Sequence, residues 1–460
     1  MSLIASYVVP HPPLIVKEVG KGNEKEVQNT IDSYEELGKE ISNLKPDTII
    51  ISSPHATMYS DYFHISPGEN STGDFGNFNA KEVQFKEEYD TELVKEIEEI
   101  AKKENFPAGT KGEKEQLLDH GTMVPLYFIE KYYKDFKLIR IGLSNLPLID
   151  HYKLGIIIKE ALDKSDKKVI YVASGDLSHK LQTYGPYGFS KEGPIYDNNI
   201  IKTLSSGAFN EIIEYDSNFL DKAAECGHRS FTIMAGLYDK LNVETKYLSH
   251  EDITGVGYGI CKFYPKEENI NRNFYDTYLL KEKSRINKQL KEADDYVTLA
   301  KSTIDEYIKN NNIIEIPNNL DKEMNKKAGV FVSIHKFNEL RGCIGTFLPI
   351  TNSIKEEIVR NAIEAAVNDY RFNPITKEEL PYLEINVDVL STPESINSTK
   401  ELDPKKYGVI VNSGSKRGLL LPDLEGVDTV EDQIRIAKNK ANILSSEEIT
   451  IQRFEVVRHK

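Results

Sequence analysis

His11, His55 and His179 each stand a few residues past a short apolar, β-branched run. Residues 3–9 run into Pro10-His11-Pro12-Pro13, residues 48–51 into Ser52-Ser53-Pro54-His55, and residues 169–173 into Ser174-Gly175-Asp176-Leu177-Ser178-His179. Imidazole is a common ligand of borderline transition metals and titrates near neutral pH. One such histidine reads as an ordinary loop residue; three with the same placement point to a metal or acid/base site. Two histidines and a carboxylate hold Fe(II) in non-haem oxygenases, and the same trio serves zinc hydrolases, so the set alone does not name the metal. Glu225, in Ala223-Ala224-Glu225-Cys226-Gly227-His228, is the best-placed carboxylate to join His11 and His55. Its plainer reading is a helix-start glutamate favoured by the macrodipole. Cys226 is the alternative ligand for a soft metal. His120, in Leu118-Asp119-His120-Gly121, and His179 suit proton transfer, with Asp176 three residues ahead of His179 to orient it. His228 reads as structural, and His64, His151, His250, His335 and His459 as solvated or satisfied.

The elements that must carry these residues follow from periodicity. Continuous Val/Ile runs bounded by Pro, Gly and Ser are strands buried on both faces. Further strands are expected at 136–142 and 256–264, and amphipathic helices at 24–44, 90–103, 152–163 and 229–241. This alternation predicts a mostly parallel, three-layer α/β domain over residues 1–265. Ligands of such open sheets bind beyond the carboxyl ends of the strands, where all three histidines fall. Residues 266–287 are polar and charged, a linker with a helical end. A second, α+β domain over 288–460 carries strands at 329–334, 342–347, 383–390, 408–411, 418–421 and 449–457. Its helices are expected at 293–310, 354–370 and 430–441.

Composition narrows the function classes. A net charge of -15 over 460 residues argues against general nucleic-acid binding, which needs a basic stripe to release counterions. No apolar run approaches the roughly 20 residues of a membrane span. Three widely spaced cysteines with no CxxC pair point to a reducing cytoplasm, without a disulfide framework or an all-cysteine zinc site. Composition leaves the oligomeric state open, an oligomer included.

The motifs His11-Pro12-Pro13, Pro54-His55, Asp119-His120-Gly121 and Ser174-Gly175-Asp176-Leu177-Ser178-His179 resemble the class III extradiol ring-cleavage dioxygenases, the LigB-like fold that also contains Memo. The resemblance implies that His11, His55 and Glu225 bind Fe(II), with zinc the second choice. It also implies that His179 and His120 assist acid/base chemistry on a small aromatic or catecholic substrate. Memo-type relatives keep the fold, and some place a cysteine near the position of Glu225-Cys226. They imply a metal- or ligand-binding accessory protein without ring cleavage. Tyr184-Gly185-Pro186-Tyr187-Gly188-Phe189, close behind His179, reads either as the wall of an aromatic pocket or as a Gly/Pro loop with ordinary packing aromatics.

In the second domain, Leu340-Arg341-Gly342-Cys343-Ile344-Gly345 is the sharpest motif. Arg341 offers a planar fork for a carboxylate or phosphate, Gly342 and Gly345 permit close backbone approach, and Cys343 is a nucleophile, a redox residue or a small buried side chain. The alternative for Arg341 is an arginine paired with a nearby glutamate. With Asp369-Tyr370-Arg371-Phe372-Asn373-Pro374 and Gly418-Leu419-Leu420-Leu421-Pro422, the motif resembles the AMMECR family. The two modules together resemble the AmmeMemoRadiSam system, which implies a radical SAM enzyme as partner.

Overall fold

A computed structural model describes residues 2–114, 117–424 and 426–460. The chain forms two units, residues 1–279 and 280–460.

The first unit is built on a six-stranded sheet. Its strands are β1 (Leu3–Val9), β2 (Thr48–Ser53), β3 (Lys137–Gly142), β4 (Val169–Ser174), β5 (Leu241–Glu251) and β6 (Tyr258–Glu268). The spatial order is β3-β2-β4-β1-β6-β5. The first four are mutually parallel, whereas β6 runs antiparallel to β1 and β5 antiparallel to β6. Every residue of β2 and β4 is buried, as strands covered on both faces require. The α/β expectation therefore holds. Because β2, β4 and β1 are adjacent, the loops that leave their carboxyl ends share one rim, and these loops carry His55, His179 and His11.

Helix packing is close where glycine permits it. Helices α1 (Leu148–Asp163) and α2 (His228–Gly236) meet through Gly155 and Gly236; a Cβ on Gly155 would lie 2.0 Å from Ile233 O and one on Gly236 2.0 Å from Tyr152 O. The helix expected over 229–241 stops at Gly236, and β5 follows it. Leu241, Val243, Thr245 and Tyr247 alternate with polar residues there, a strand period that lies beyond the expected helix and outside the expected strands.

The buried carboxyl of Glu87 lies against that of Glu130. Burial and then the Glu130 charge raise Glu87 from its ordinary range to about 8. The unfolded chain releases this proton near the ordinary carboxylate pKa while the folded chain keeps it, so stability falls as pH rises from there toward about 8. Glu87→Gln is expected to gain on the order of 2 kcal/mol relative to wild type between pH 5 and pH 9. Thermal unfolding at the two pH values checks it.

The expected linker is ordered. Strand β6 runs to Glu268, Ile270–Arg272 forms a 3-10 turn, and helix α3 (Phe274–Glu292) crosses the boundary between the units. Only Glu282 and Ile286 of α3 are buried, so it shows almost no apolar period.

The second unit has a sheet of β7 (Gly329–Lys336), β8 (Glu339–Thr346), β9 (Leu383–Leu390) and β10 (Val456–His459), in the order β8-β7-β9-β10. Helix α4 (Asp295–Asn310) and helix α5 (Ile354–Val367) share its apolar core. A second four-stranded sheet contains Gly408–Ser413, Lys416–Leu420 and Thr450–Phe454. The single final strand expected at 449–457 is therefore two. Thr450–Phe454 pairs in one sheet and β10 in the other, broken at Glu455, whose carbonyl accepts from Ser391 N.

Candidate metal centre

His11 is buried and held on both sides. Its backbone N–H donates to Asp176 Oδ1 at 2.8 Å, and its Nδ1 lies 3.0 Å from Ser174 Oγ. Ser174 Oγ spends its own proton on Gly121 O at 2.6 Å. The hydroxyl must therefore accept from His11 Nδ1–H, which leaves Nε2 as a bare lone pair facing the rim. Burial, and then the neighbouring His55, His120 and His179, hold the His11 pKa well below its ordinary value, so the ring is neutral.

His55 Nε2 lies 3.1 Å from His11 Nε2, and Cys226 Sγ lies 3.7 Å from the same atom. Around a tetrahedral ion with bonds of about 2.1 Å to nitrogen and about 2.3 Å to sulfur, two nitrogens stand roughly 3.4 Å apart and a nitrogen and a sulfur roughly 3.6 Å. Each of the two pairs that share His11 Nε2 is spaced to that scale. Two overlapping groups share His11: His11, His55 and His120, and His11, Asp176 and Cys226, with ligand atoms within 4.8 Å in each. His55 is exposed, so the centre opens to solvent.

His120 begins a helix whose N-cap, Asp119, accepts from Thr122 N at 3.0 Å and from Ser53 Oγ at 2.6 Å. That single carboxylate ties the helix to the end of β2. The His120 ring is tilted against that of His55, centroids 3.9 Å apart at 34°, with its ligand atom within 4.8 Å of those of His11 and His55. Burial and then His55 lower His120 to about 4, and burial and then His55 lower His179 to about 4. Both are neutral acceptors near pH 7. His179 Nε2 is buried without a hydrogen-bond partner and sits 3.9 Å from Asp176 Oδ2.

Glu225 is in neither donor group. Its Oε2 accepts from His228 N at 2.5 Å, at the start of α2. The expected ligand is thus the helix-start carboxylate of its plainer reading, and the next side chain turns inward instead. Burial raises Glu225 to about 7, against the pull of the His228 N–H. The inward turn depends on Gly175 and Gly227, whose backbones touch; a Cβ on Gly175 would lie 2.1 Å from Gly227 Cα. Cys226 Sγ accepts from Asp176 N at 3.2 Å across this contact. Burial and then the Asp176 and Glu225 carboxyls push the Cys226 thiol up, so an incoming cation must displace its proton.

The loop bearing His179 is stitched to the turn bearing Cys226. Ser178 Oγ donates to Ala223 O at 2.7 Å and His179 N to Ala224 O at 3.2 Å. From the other side, Asp197 Oδ1 accepts from Ser178 N at 2.9 Å while its Oδ2 meets His250 Nε2 at 2.7 Å. Asp197 lies inside a helix, and nothing in the sequence around it signals this role. His228 is structural, bonded to Tyr196 OH and Ile212 O.

The profile of the family described as "Catalytic LigB subunit of aromatic ring-opening dioxygenase" matches residues 5–261, and that of AMMECR1 matches residues 297–459. The chain belongs to the LigB family, joined to an AMMECR1 domain. A protein of Clostridium acetobutylicum is 43% identical over 474 aligned positions, covering all of both chains. One of Thermotoga maritima is 49% identical over 168 positions, 36% of this chain and 97% of that one. A Pyrococcus horikoshii crystal structure matches 36% of this chain and 89% of its own at 31% identity, with a TM-score of 0.34. Among the described residues, no helix is long and apolar enough to cross a membrane.

In the AMMECR1 domain the Arg341 fork is already filled. Its Nε and Nη2 donate to the two oxygens of Glu379 at 2.9 and 3.1 Å, and Lys336 Nζ joins at 3.2 Å. Burial alone would raise Glu379, but the Arg341 and Lys336 cations hold it at about 2. Arg371 likewise pairs with Asp369. The anion-binding expectation for Arg341 gives way to the paired-arginine alternative. Gly342 and Gly345 serve close packing, against Ala365 O and the Phe331 ring. Half-buried Cys343 accepts from Ser333 Oγ at 3.2 Å and donates its N–H to Asp369 at 2.9 Å. Arg341→Ala would leave Glu379 buried with one cation, and a loss of about 2 kcal/mol in urea unfolding is expected.

Proposed function

We propose that the LigB-family domain is a metal-dependent oxidoreductase of the extradiol ring-cleavage type, with its ion bound at His11 Nε2, which both donor groups share, and completed from one of them, His55 with His120 or Asp176 with Cys226. The observation that carries this reading is the bare Nε2 of His11, 3.1 Å from His55 Nε2 and 3.7 Å from Cys226 Sγ. Iron is the first choice and zinc the second. When bound, such an ion supplies Lewis-acid polarisation of substrate oxygens and, if iron, the electrons of dioxygen chemistry. The protein's own residues supply the rest. The tautomer lock through Ser174 orients His11, while His179 and His120, neutral near pH 7, accept hydroxyl protons from a catecholic substrate and return them. On its resemblance to the AmmeMemoRadiSam system, we take a radical SAM enzyme as the chain's partner.

Cys226 in the donor group with His11 and Asp176 favours a second reading, a Memo-like metal-binding accessory protein without ring cleavage. Anaerobic reconstitution with Fe(II), followed by oxygen uptake with a panel of catechols, separates the two. Stoichiometric iron with catechol-dependent uptake is expected; iron without uptake selects the accessory role, and no bound metal sinks both.

A further inference from the structure

The loop that follows His179 presents three large aromatic side chains to solvent within six residues. Tyr184 is 70% exposed, Tyr187 59% and Phe189 54%. Exposed apolar surface of that density, beside a polar site, marks a place where something binds. The loop is nonetheless constrained. Leu181 and Phe189 bridge antiparallel, Gly185 N donates to Gln182 O and Gly188 N to Gly185 O at 3.1 Å each, and Gly185 backs onto Gly255. Gly188, at φ +72°, supplies the left-handed residue that turns the chain back.

One of the three faces the centre. The Tyr187 ring lies 5.0 Å from the His179 ring at 32°, against the very side chain whose Nε2 has no partner. Tyr187 therefore packs on the His179 ring while more than half of its surface stays open to solvent.

We propose that Tyr187 is the specificity-determining wall of the site, the surface on which the ring of a planar phenolic substrate stacks while its oxygens reach the centre. This inference rests on the metal-centre reading above and assigns one residue to the recognition of its substrate. Aromatic pairing adds to area burial, so losing it should weaken binding about tenfold.

The test uses the full-length chain reconstituted with iron and two probes, 4-nitrocatechol and acetohydroxamate, each titrated by its visible absorption change. Both bind iron through two oxygens, but only the first carries a ring. In Tyr187→Ala, 4-nitrocatechol is expected to bind about tenfold more weakly and acetohydroxamate as in wild type, with iron content unchanged. Tyr187→Phe should restore 4-nitrocatechol binding to within about twofold of wild type. Equal 4-nitrocatechol affinity in Tyr187→Ala and wild type overturns the proposal. So does equal weakening of both probes, because the ring then plays no part. Wild type that binds acetohydroxamate but not 4-nitrocatechol refutes the aromatic wall and leaves the centre standing, whereas failure to hold iron at all refutes the centre itself.

Discussion

Glu225→Gln retains its metal and Cys226→Ala loses it: this is the expected outcome if the inward thiol, and not the adjacent carboxylate, completes the donor set. Loss of a residue that only orients a ligand costs about 10- to 100-fold in affinity, so removal of a ligand should exceed about 100-fold. His11→Ala belongs with Cys226→Ala, since His11 is the atom both donor groups share. Glu225→Gln keeps a carbonyl oxygen for the His228 N–H and so keeps the turn. Metal analysis after anaerobic reconstitution reads the contrast directly. Cobalt substitution adds an independent signature, a thiolate-to-metal absorption present in wild type and Glu225→Gln and missing in Cys226→Ala. Retention of metal by Cys226→Ala together with its loss in Glu225→Gln would restore the two-histidine, one-carboxylate arrangement.

The second large effect comes from a residue that touches no ion. In Gly175→Ala the new methyl would sit 2.1 Å from Gly227 Cα, backbone against backbone, with no flexible side chain to give way. Relief requires the end of β4 and the turn at residues 225–227 to separate, which carries Cys226 away from His11. A stability loss of about 3 kcal/mol is expected, at the upper end of ordinary overpacking, together with loss of bound metal. Urea unfolding and metal analysis of the same preparation check both. Gly175→Ala that folds with wild-type stability and binds metal normally would mean that the contact is not what aims Cys226.

The strands that deliver His11, His55 and His179 were legible because strands buried on both faces must be apolar along their whole length, and only the loop beyond them is free to be polar. What the ligand turn does was not. Glu225 and Cys226 are neighbours, and which one faces inward is decided by a helix-start hydrogen bond and by a contact between glycines 52 residues apart in the chain, neither of which leaves a periodic signal. Arg341 failed as an anion site for a similar reason, its partner Glu379 lying 38 residues downstream. The split of the final strand between two sheets was invisible too, because alternation fixes which face a residue takes but not which strand lies beside it.

The stitching of Ser178 and His179 to Ala223 and Ala224 bears on how this centre can be transplanted. A chimera that imports one loop from a relative without the other would mismatch the seam and set His179 and the Cys226 thiol out of register. Segments 174–180 and 223–228 form one cassette, to be exchanged whole or left alone.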